Sequence, residues 1–256
     1  AAKPSDWRSV DPANTLYMDL PNGRVIIELN PNFAPQSVAN VKALAQEKYW
    51  DGLAVVRAQD NYVVQWADPD AENKEKKKKF KSAKEHVTAE LDIALDKKVP
   101  FNALPDKDIY TDAVGFSDGF AAGRDLKKNR TWLVHCYGAV GVGRDNAPDS
   151  GNGAELYAVI GNAPRGLDRN VTVIGRVLQG IEHLSTIPRG TGNMGFFDKP
   201  EQRLAIKSIR LGSDVPEKER VNLEVLRTDT KLFSDLIAAR KHRAEEWFQY
   251  RSCVCR

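Results

Sequence analysis

Apolar and polar residues alternate in two neighbouring runs, "TLYMDL" at 15–20 and "RVIIEL" at 24–29, joined through Pro-Asn-Gly. This pattern predicts a β-hairpin. Val38, Val41, Leu44 and Ala45 then recur at helical spacing behind Pro35, which predicts one amphipathic helix. "GLAVVRA" at 52–58 and "NYVVQWA" at 61–67 return to short β-rich runs. The β pattern resumes in "TWLVHCYGAVGVG" at 131–143, "AELYAVIG" at 154–161 and "VTVIGRVL" at 171–178, and "QRLAIKSIRL" at 202–211 reads as a closing strand. "GIEHLSTI" at 180–187 predicts a short second helix. Leu223, Leu226, Phe233, Ile237 and Trp247 fall on an approximate helical stripe and predict one or two carboxy-terminal helices. Many short strands, few helices and no regular strand-helix alternation exclude a doubly wound sheet and predict a barrel or sandwich.

Between Ala71 and about Arg130 the pattern dissolves into charge with isolated prolines and glycines, so this stretch is expected to be an excursion from the sheet. The organisation that follows is an amino-terminal arm at 1–13, a main domain at 14–212 interrupted by an insertion at about 71–130, and a helical extension at 213–256.

Composition narrows the function classes. The 256 residues are 41% hydrophobic and 29% charged, as in a globular protein with a sizeable core. The 38 basic and 35 acidic side chains leave a formal charge of +3, too even a balance for nucleic acid as the main partner. "KEKKKKFK" at 74–81 is expected to be a solvated arm. No apolar run approaches the roughly 20 residues of a membrane helix, so no membrane partner is expected. The start "AAKPSDWR" resembles the mature end left when a secretory leader is removed, which predicts a periplasmic or secreted protein, with a cytoplasmic one as the alternative. Cys136 with Cys253 or Cys255 could then form one disulfide stapling the tail to the body, the alternative being three inert thiols. His86, His135, His183 and His242 lack metal-ligand spacing, and neither a metal nor a cofactor is expected. "GVGRDNAPDSGNG" at 141–153 lacks the Gly-Lys-Ser/Thr ending of a phosphate loop and precedes a strand instead of a helix.

One arginine, Arg57, stands inside the apolar run "AVVRA", with Gln65 eight residues later. The strings around it resemble the cyclophilins, the cyclosporin-binding peptidyl-prolyl cis/trans isomerases, over residues 14–70 and 131–212. "GRVIIELNPNFAPQSVANVKALAQEKYWDGL" is similar to the family's strand, helix entry and turn, "VVRAQDNYVVQWADP" to its arginine-glutamine string, and "LDRNVTVIGRVLQGIEHLSTI" to its leucine-aspartate string. The resemblance is to a divergent bacterial member. It implies a mainly β fold, a closed eight-stranded antiparallel barrel with two capping helices, here with a long insertion and a carboxy-terminal helical extension.

The resemblance places Arg57 on the catalytic arginine and Gln65 on the glutamine that binds substrate backbone. It places Tyr62, Val63, Tyr157, Leu167 and Val171 around a proline pocket, and Asp145 and Asn146 on a loop that contacts substrate backbone. Val171 stands where the family has a histidine, Val56 where it has another before the arginine, Glu155 where it has a glutamine, and Gly166 where a tryptophan often precedes the leucine. The missing indole implies weak cyclosporin binding. Implied partners are proline-containing peptides and unfolded proteins, and the implied activity is low to moderate prolyl isomerisation in protein folding. The alternative is a catalytically weak or inactive peptide-binding module of the same fold. Glu155 either pairs with Arg57 and draws it from substrate or holds it in place.

Overall fold

A computed structural model describes residues 2–241 and 246–247. After β1 (Trp7–Ser9), the predicted hairpin forms as β2 (Thr15–Leu20) and β3 (Gly23–Leu29), registered from Thr15 opposite Glu28 to Leu20 opposite Gly23. Helix α1 (Pro35–Gln46) buries Val38, Val41, Leu44 and Ala45, the positions its spacing predicts. The residue that precedes it, Ala34, offers no capping side chain, and the Glu90 carboxylate accepts from the backbone N–H groups of Gln36 and Ser37 at 3.0 and 2.8 Å instead. An acid at a helix amino terminus satisfies orphan donors and complements the helix dipole. The cap is lent by the insertion.

Strands β4 (Ala54–Ala58) and β5 (Val63–Ala67) precede the insertion, which holds β6 (Ile93–Ala94), β7 (Asn102–Ala103), β8 (Ala113–Ser117), β9 (Phe120–Asp125) and β10 (Arg130–Leu133). The chain continues through β11 (Ala139–Val142), β12 (Leu156–Val159), β13 (Val173–Gln179), α2 (Glu182–Ser185), β14 (Leu204–Ala205), β15 (Ser208–Leu211), β16 (Glu224–Leu226) and α3 (Lys231–Lys241). The main sheet runs β14-β4-β5-β12-β11-β13-β3-β2-β15, with every neighbouring pair antiparallel. Its two ends are consecutive pieces of one segment. β14 pairs with β4, and β15 with β2. The sheet thus curls round to meet itself, with nine strands where the sequence predicts eight, because the closing strand is broken at Ile206 and Lys207. Ile206 exchanges backbone bonds with Gly52 and Leu53, while the Lys207 N–H donates to Asp19, so the break is where the segment changes partner.

Successive side chains of a strand point to opposite faces. Val64 and Trp66 of β5 and Leu156 and Ala158 of β12 fill the barrel interior with Leu16, Ile27, Val140, Ile174 and Ile209. Val63 of β5 and Tyr157 and Val159 of β12 face outward, into a second cluster with Phe120, Ala122 and Leu133 of the insertion. An antiparallel barrel wall covered on its outer side needs apolar residues on both faces, which is why these strands read as continuous apolar runs.

Three expectations change. The excursion is a five-stranded antiparallel sheet, ordered β6-β10-β9-β8-β7. Its strands are short, and β8 and β9 carry glycine and alanine where larger apolar side chains would mark a face, so they leave little periodicity to read. The run 131–143 is two strands in two sheets, β10 and β11, divided at Cys136–Gly138, where Gly138 takes a φ of +84°. In the extension, Leu226 lies in β16, paired with β1, and Leu223 packs beside Tyr17, Ile26 and Val215, so the helix begins only at Lys231. The extension docks on the insertion through Phe233 edge-on to Phe116 at 5.1 Å, the Thr228 hydroxyl donating to Asn102 Oδ1 at 3.0 Å, and a Lys241–Asp106 ion pair. Arm and barrel meet at buried Glu28, which accepts from Arg8 at 2.6 Å and Arg176 at 2.9 Å, and the same two arginines donate to the Asp118 and Gly119 carbonyls of the insertion.

Lys74–Lys77 and Lys79 are exposed as expected, but Lys78 folds back, its ammonium donating to the Asp51 carbonyl at 2.8 Å and lying 5.8 Å from the Tyr49 ring centre. Cys136 is exposed, and its two proposed partners, Cys253 and Cys255, lie outside the described residues.

Ile206, 1% exposed at the seam, tests the closure. Ile206→Ala is expected to cost about 2–5 kcal/mol of unfolding free energy in urea titration, the range for such a truncation in a packed core. A loss under about 1 kcal/mol would mean that the seam is not part of the cooperative core.

Candidate active site

In β4, Val55 and Ala58 both belong to the interior cluster although they are three residues apart. A period of two forbids this unless the strand carries an extra residue. The ladder with β5 supplies it: Val55 pairs with Trp66 and Arg57 with Gln65, leaving Val56 as a bulge. The bulge shifts the phase of the strand and sends Arg57 to the outer face beside Gln65. The arginine in the apolar run is therefore on the outer face of the sheet and not in the core.

Its guanidinium is gripped from three sides. Nε donates to the Met194 carbonyl at 2.7 Å, Nη1 to Gln65 Oε1 at 2.9 Å, and Nη2 to Gln59 Oε1. The rings of Tyr62 and Phe196 lie 5.4 and 5.3 Å from its carbon, within cation–π range. Burial pulls the Arg57 guanidinium below its ordinary value, opposed by Tyr62 and Glu155. The Gly190–Phe197 segment supplies two of these contacts. At Gly195, with φ +79°, a Cβ would come within 2.8 Å of Gln59 Cα, so only glycine lets the segment lie this close to β4.

Glu155 does not pair with Arg57 directly. Its Oε1 accepts from Gln65 Nε2, and Gln65 Oε1 accepts from Arg57, so an amide links acid and base. Burial holds the Glu155 carboxyl above its usual range, with Asp145 adding to the effect, against the Gln65 hydrogen bond and Arg57. Of the two arrangements the sequence leaves open, the contacts are those of the second: Glu155 reaches the arginine through Gln65. Gln65, 4% exposed, is committed at both ends of its amide.

Tyr62, beside Arg57, packs with Leu167 and Val171 as half-buried residues on the outer cluster containing Val63 and Tyr157. These five proline-pocket candidates form one apolar group. The Tyr157 hydroxyl is within 2.8 Å of His135 Nε2, and burial pushes this phenol upward. A Cβ at Gly141 would fall 2.2 Å from the same hydroxyl, so the neighbouring strand must carry glycine there. Asp145 and Asn146 sit apart on an exposed loop. Their backbone carbonyls accept from Arg144, and the Asp145 N–H donates to the Ser150 hydroxyl. No side-chain contact joins Asn146 to the Arg57 group among the described residues.

Sequence reading missed Gln59, Met194 and Phe196, which surround Arg57, and His135, which supports the pocket. Gln59 had a local signal, lying two residues from Arg57 at the end of the same strand. The other three come from distant loops and left none.

Chemically, the site sets a fixed, permanently charged donor fork beside an apolar group. It has no positioned nucleophile. Among the described residues no group of three His, Cys, Asp or Glu side chains is arranged to hold a metal.

The comparisons with known proteins agree with this geometry. The family model "Cyclophilin type peptidyl-prolyl cis-trans isomerase/CLD" matches residues 15–211. The crystal structure of the cyclophilin AquaCyp293 from Hirschia baltica superposes with a TM-score of 0.76 at 25% identity, covering 94% of this chain and 89% of that one. Probable peptidyl-prolyl cis-trans isomerases of Brucella suis and Brucella melitensis are each 25% identical over 183 residues, 72% of this chain and 76% of theirs. With the family model spanning the whole barrel and a bacterial cyclophilin sharing the architecture from arm to extension, the chain belongs to the cyclophilin-type peptidyl-prolyl cis-trans isomerases.

Proposed function

We propose that this chain accelerates cis/trans exchange at X-Pro bonds of peptides and unfolded proteins, with Arg57 stabilising the twisted amide. The peptide C–N bond has partial double-bond character and a rotation barrier of about 18–20 kcal/mol. At the twisted state this resonance is broken and the proline nitrogen regains its lone pair. A donor aimed at that nitrogen and at the proline carbonyl lowers the barrier, and no proton changes hands.

The observation that carries this reading is the count of N–H groups on Arg57. A guanidinium has five. One on Nε, one on Nη1 and one on Nη2 are held by Met194, Gln65 and Gln59, which leaves one on each Nη for substrate. The held groups fix the plane of the fork before substrate arrives, and preorganised donors lose nothing to reorientation during the reaction. Tyr62, Val63, Tyr157, Leu167 and Val171 would take the proline ring, while Asp145 and Asn146 would meet the flanking backbone. Val56 and Val171, in place of histidines, remove no acid or base that this mechanism needs.

Gln65 favours the second reading, a binding module of low activity, because an amide engaged at both ends has less to offer a peptide backbone. Weak cyclosporin binding follows on either reading: Gly166 has no indole, and a Cβ placed there would meet nothing within 4 Å.

NMR exchange or protease-coupled kinetics on a short X-Pro peptide separates the two readings. Arg57→Ala is expected to lower kcat/KM by about 100-fold to 1,000-fold, the usual contribution of one preorganised electrostatic donor. Equal acceleration by both proteins, or none by the wild type, overturns the catalytic reading.

The charge of Glu155 has a consequence for stability. A carboxyl held above its ordinary value when folded contributes stability that is complete below its unfolded value, about 4.3. That contribution is lost as pH rises through the higher native value. Glu155→Gln removes this loss and keeps an oxygen for Gln65. Thermal unfolding is expected to show the variant gaining on the wild type as pH rises above the unfolded value, about 4.3. A wild type that gains on the variant over that range would mean that attraction to Arg57 outweighs burial.

A further inference from the structure

The insertion reaches the pocket through a continuous polar chain. Asp108, in the loop between β7 and β8, receives both terminal nitrogens of Arg165 at 2.9 Å each. Arg165 Nε donates to Asp168 Oδ2 at 2.9 Å. The other oxygen, Oδ1, accepts from the His135 backbone N–H at 2.8 Å and lies 3.0 Å from His135 Nδ1. His135 Nε2 lies 2.8 Å from the Tyr157 hydroxyl. All these side chains are withdrawn from solvent: Asp108 is 12%, Arg165 13%, Asp168 7% and His135 1% exposed. Fork-to-fork arginine–carboxylate geometry fixes orientation as well as distance.

The chain brackets the pocket. Leu167 lies between Arg165 and Asp168 in a single 3-10 turn and its flank, so the two anchored residues define where its side chain stands. Tyr157, at the far end, is another wall of the same apolar group. The insertion also supplies an aromatic to this rim. The Tyr110 ring lies 4.7 Å from the Arg165 guanidinium carbon, and Tyr110 lines a cleft of about 400 Å³ together with Gly166. The cleft thus lies between the insertion and the 3-10 turn that carries Leu167.

We propose that Asp108 is a positioning residue for the proline pocket: through Arg165, Asp168 and His135 it sets the distance between Leu167 and Tyr157, making the insertion part of the substrate site. This rests on the prolyl-isomerase reading of the groove. The partners also fix the state of His135. Asp168 accepts from Arg165 and from the His135 backbone, so Nδ1 carries the ring proton and Nε2 accepts from the Tyr157 hydroxyl.

A pocket wall acts on the proline ring alike in ground and transition states, so its loss raises KM and leaves kcat. On the full chain, Asp108→Ala is expected to raise KM for an X-Pro peptide, and Kd for the same peptide in an NMR titration, by about tenfold, with kcat kept within about twofold. Ile109→Ala, a neighbour that is 91% exposed, is expected to change none of these. Asp108→Glu, which keeps a carboxylate for Arg165, is expected to recover most of the loss. If Asp108→Ala does not fold, Arg165→Lys, which keeps the charge and loses the fork, is to show the same split. Nitrogen-15 NMR of wild-type His135 is expected to show the Nδ1–H tautomer. Unchanged KM and Kd in Asp108→Ala, a parallel fall of kcat with thermal stability, or an Nε2–H tautomer would each overturn the proposal. Should the wild type bind the peptide without accelerating its exchange, the catalytic reading falls and the titration still decides this one. No binding by the wild type overturns both.

Discussion

One extra residue in one strand governs the site. Without the bulge at Val56, β4 would keep a strict alternation, and placing both Val55 and Ala58 in the barrel interior would be impossible. With it, the strand seals the interior on either side of the bulge and still turns Arg57 outward, opposite Gln65. Everything else around the arginine follows from that direction: Tyr62 and Phe196 flank it, Met194 and Gln59 take its remaining faces, and Glu155 reaches it through Gln65. The apolar appearance of "AVVRA" and the charge within it are both consequences of a wall that is packed inside and serves a groove outside.

The same two-sided wall explains what the sequence allowed to be read. Strands β2, β3, β5 and β12 stand out because their interior positions are apolar at a fixed period, β4, β13 and the segment 204–211 because they are short apolar runs, and α1 because Val38, Val41, Leu44 and Ala45 share a face. The insertion left no such trace. β6 and β7 are two residues each, too short for any periodicity, and β8 and β9 contain glycine and alanine where larger apolar residues would mark an inner face. In the extension, Leu223 and Leu226 fell on a helical stripe by spacing alone, yet β1 was available to pair with residues 224–226, and tertiary pairing overrode local pattern.

The site was legible to the extent that its residues are neighbours in sequence. Arg57, Tyr62, Val63 and Gln65 lie on one hairpin, and Leu167 and Val171 on one turn. What joins these groups is not local. The Gly190–Phe197 segment approaches Arg57 from well over a hundred residues away, and His135, one of four histidines without any metal spacing, is identified only by what its two ring nitrogens touch. A buried histidine between a carboxylate and a phenol resembles a catalytic relay in outline. Here its hydroxyl partner is buried in a pocket wall, with burial raising the phenol further from ionisation, so the arrangement holds shape instead of moving protons.

This distinction bears on why so many polar groups surround a reaction that needs none as acid or base. Rotation about an amide demands a donor in a fixed direction and an apolar ring held at a fixed distance from it. Long side chains such as arginine lose considerable rotamer entropy when fixed, and a solvated guanidinium would spend that cost at each encounter with substrate. On the proposed function that cost is met during folding, by Met194, Gln59 and Gln65 for the donor and by Asp108, Arg165, Asp168 and His135 for the proposed pocket wall. Two of those anchors, Asp108 and Met194, lie on segments that interrupt the barrel's regular strands. The departures from a bare barrel are thus where the geometry around Arg57 and Leu167 is tied down.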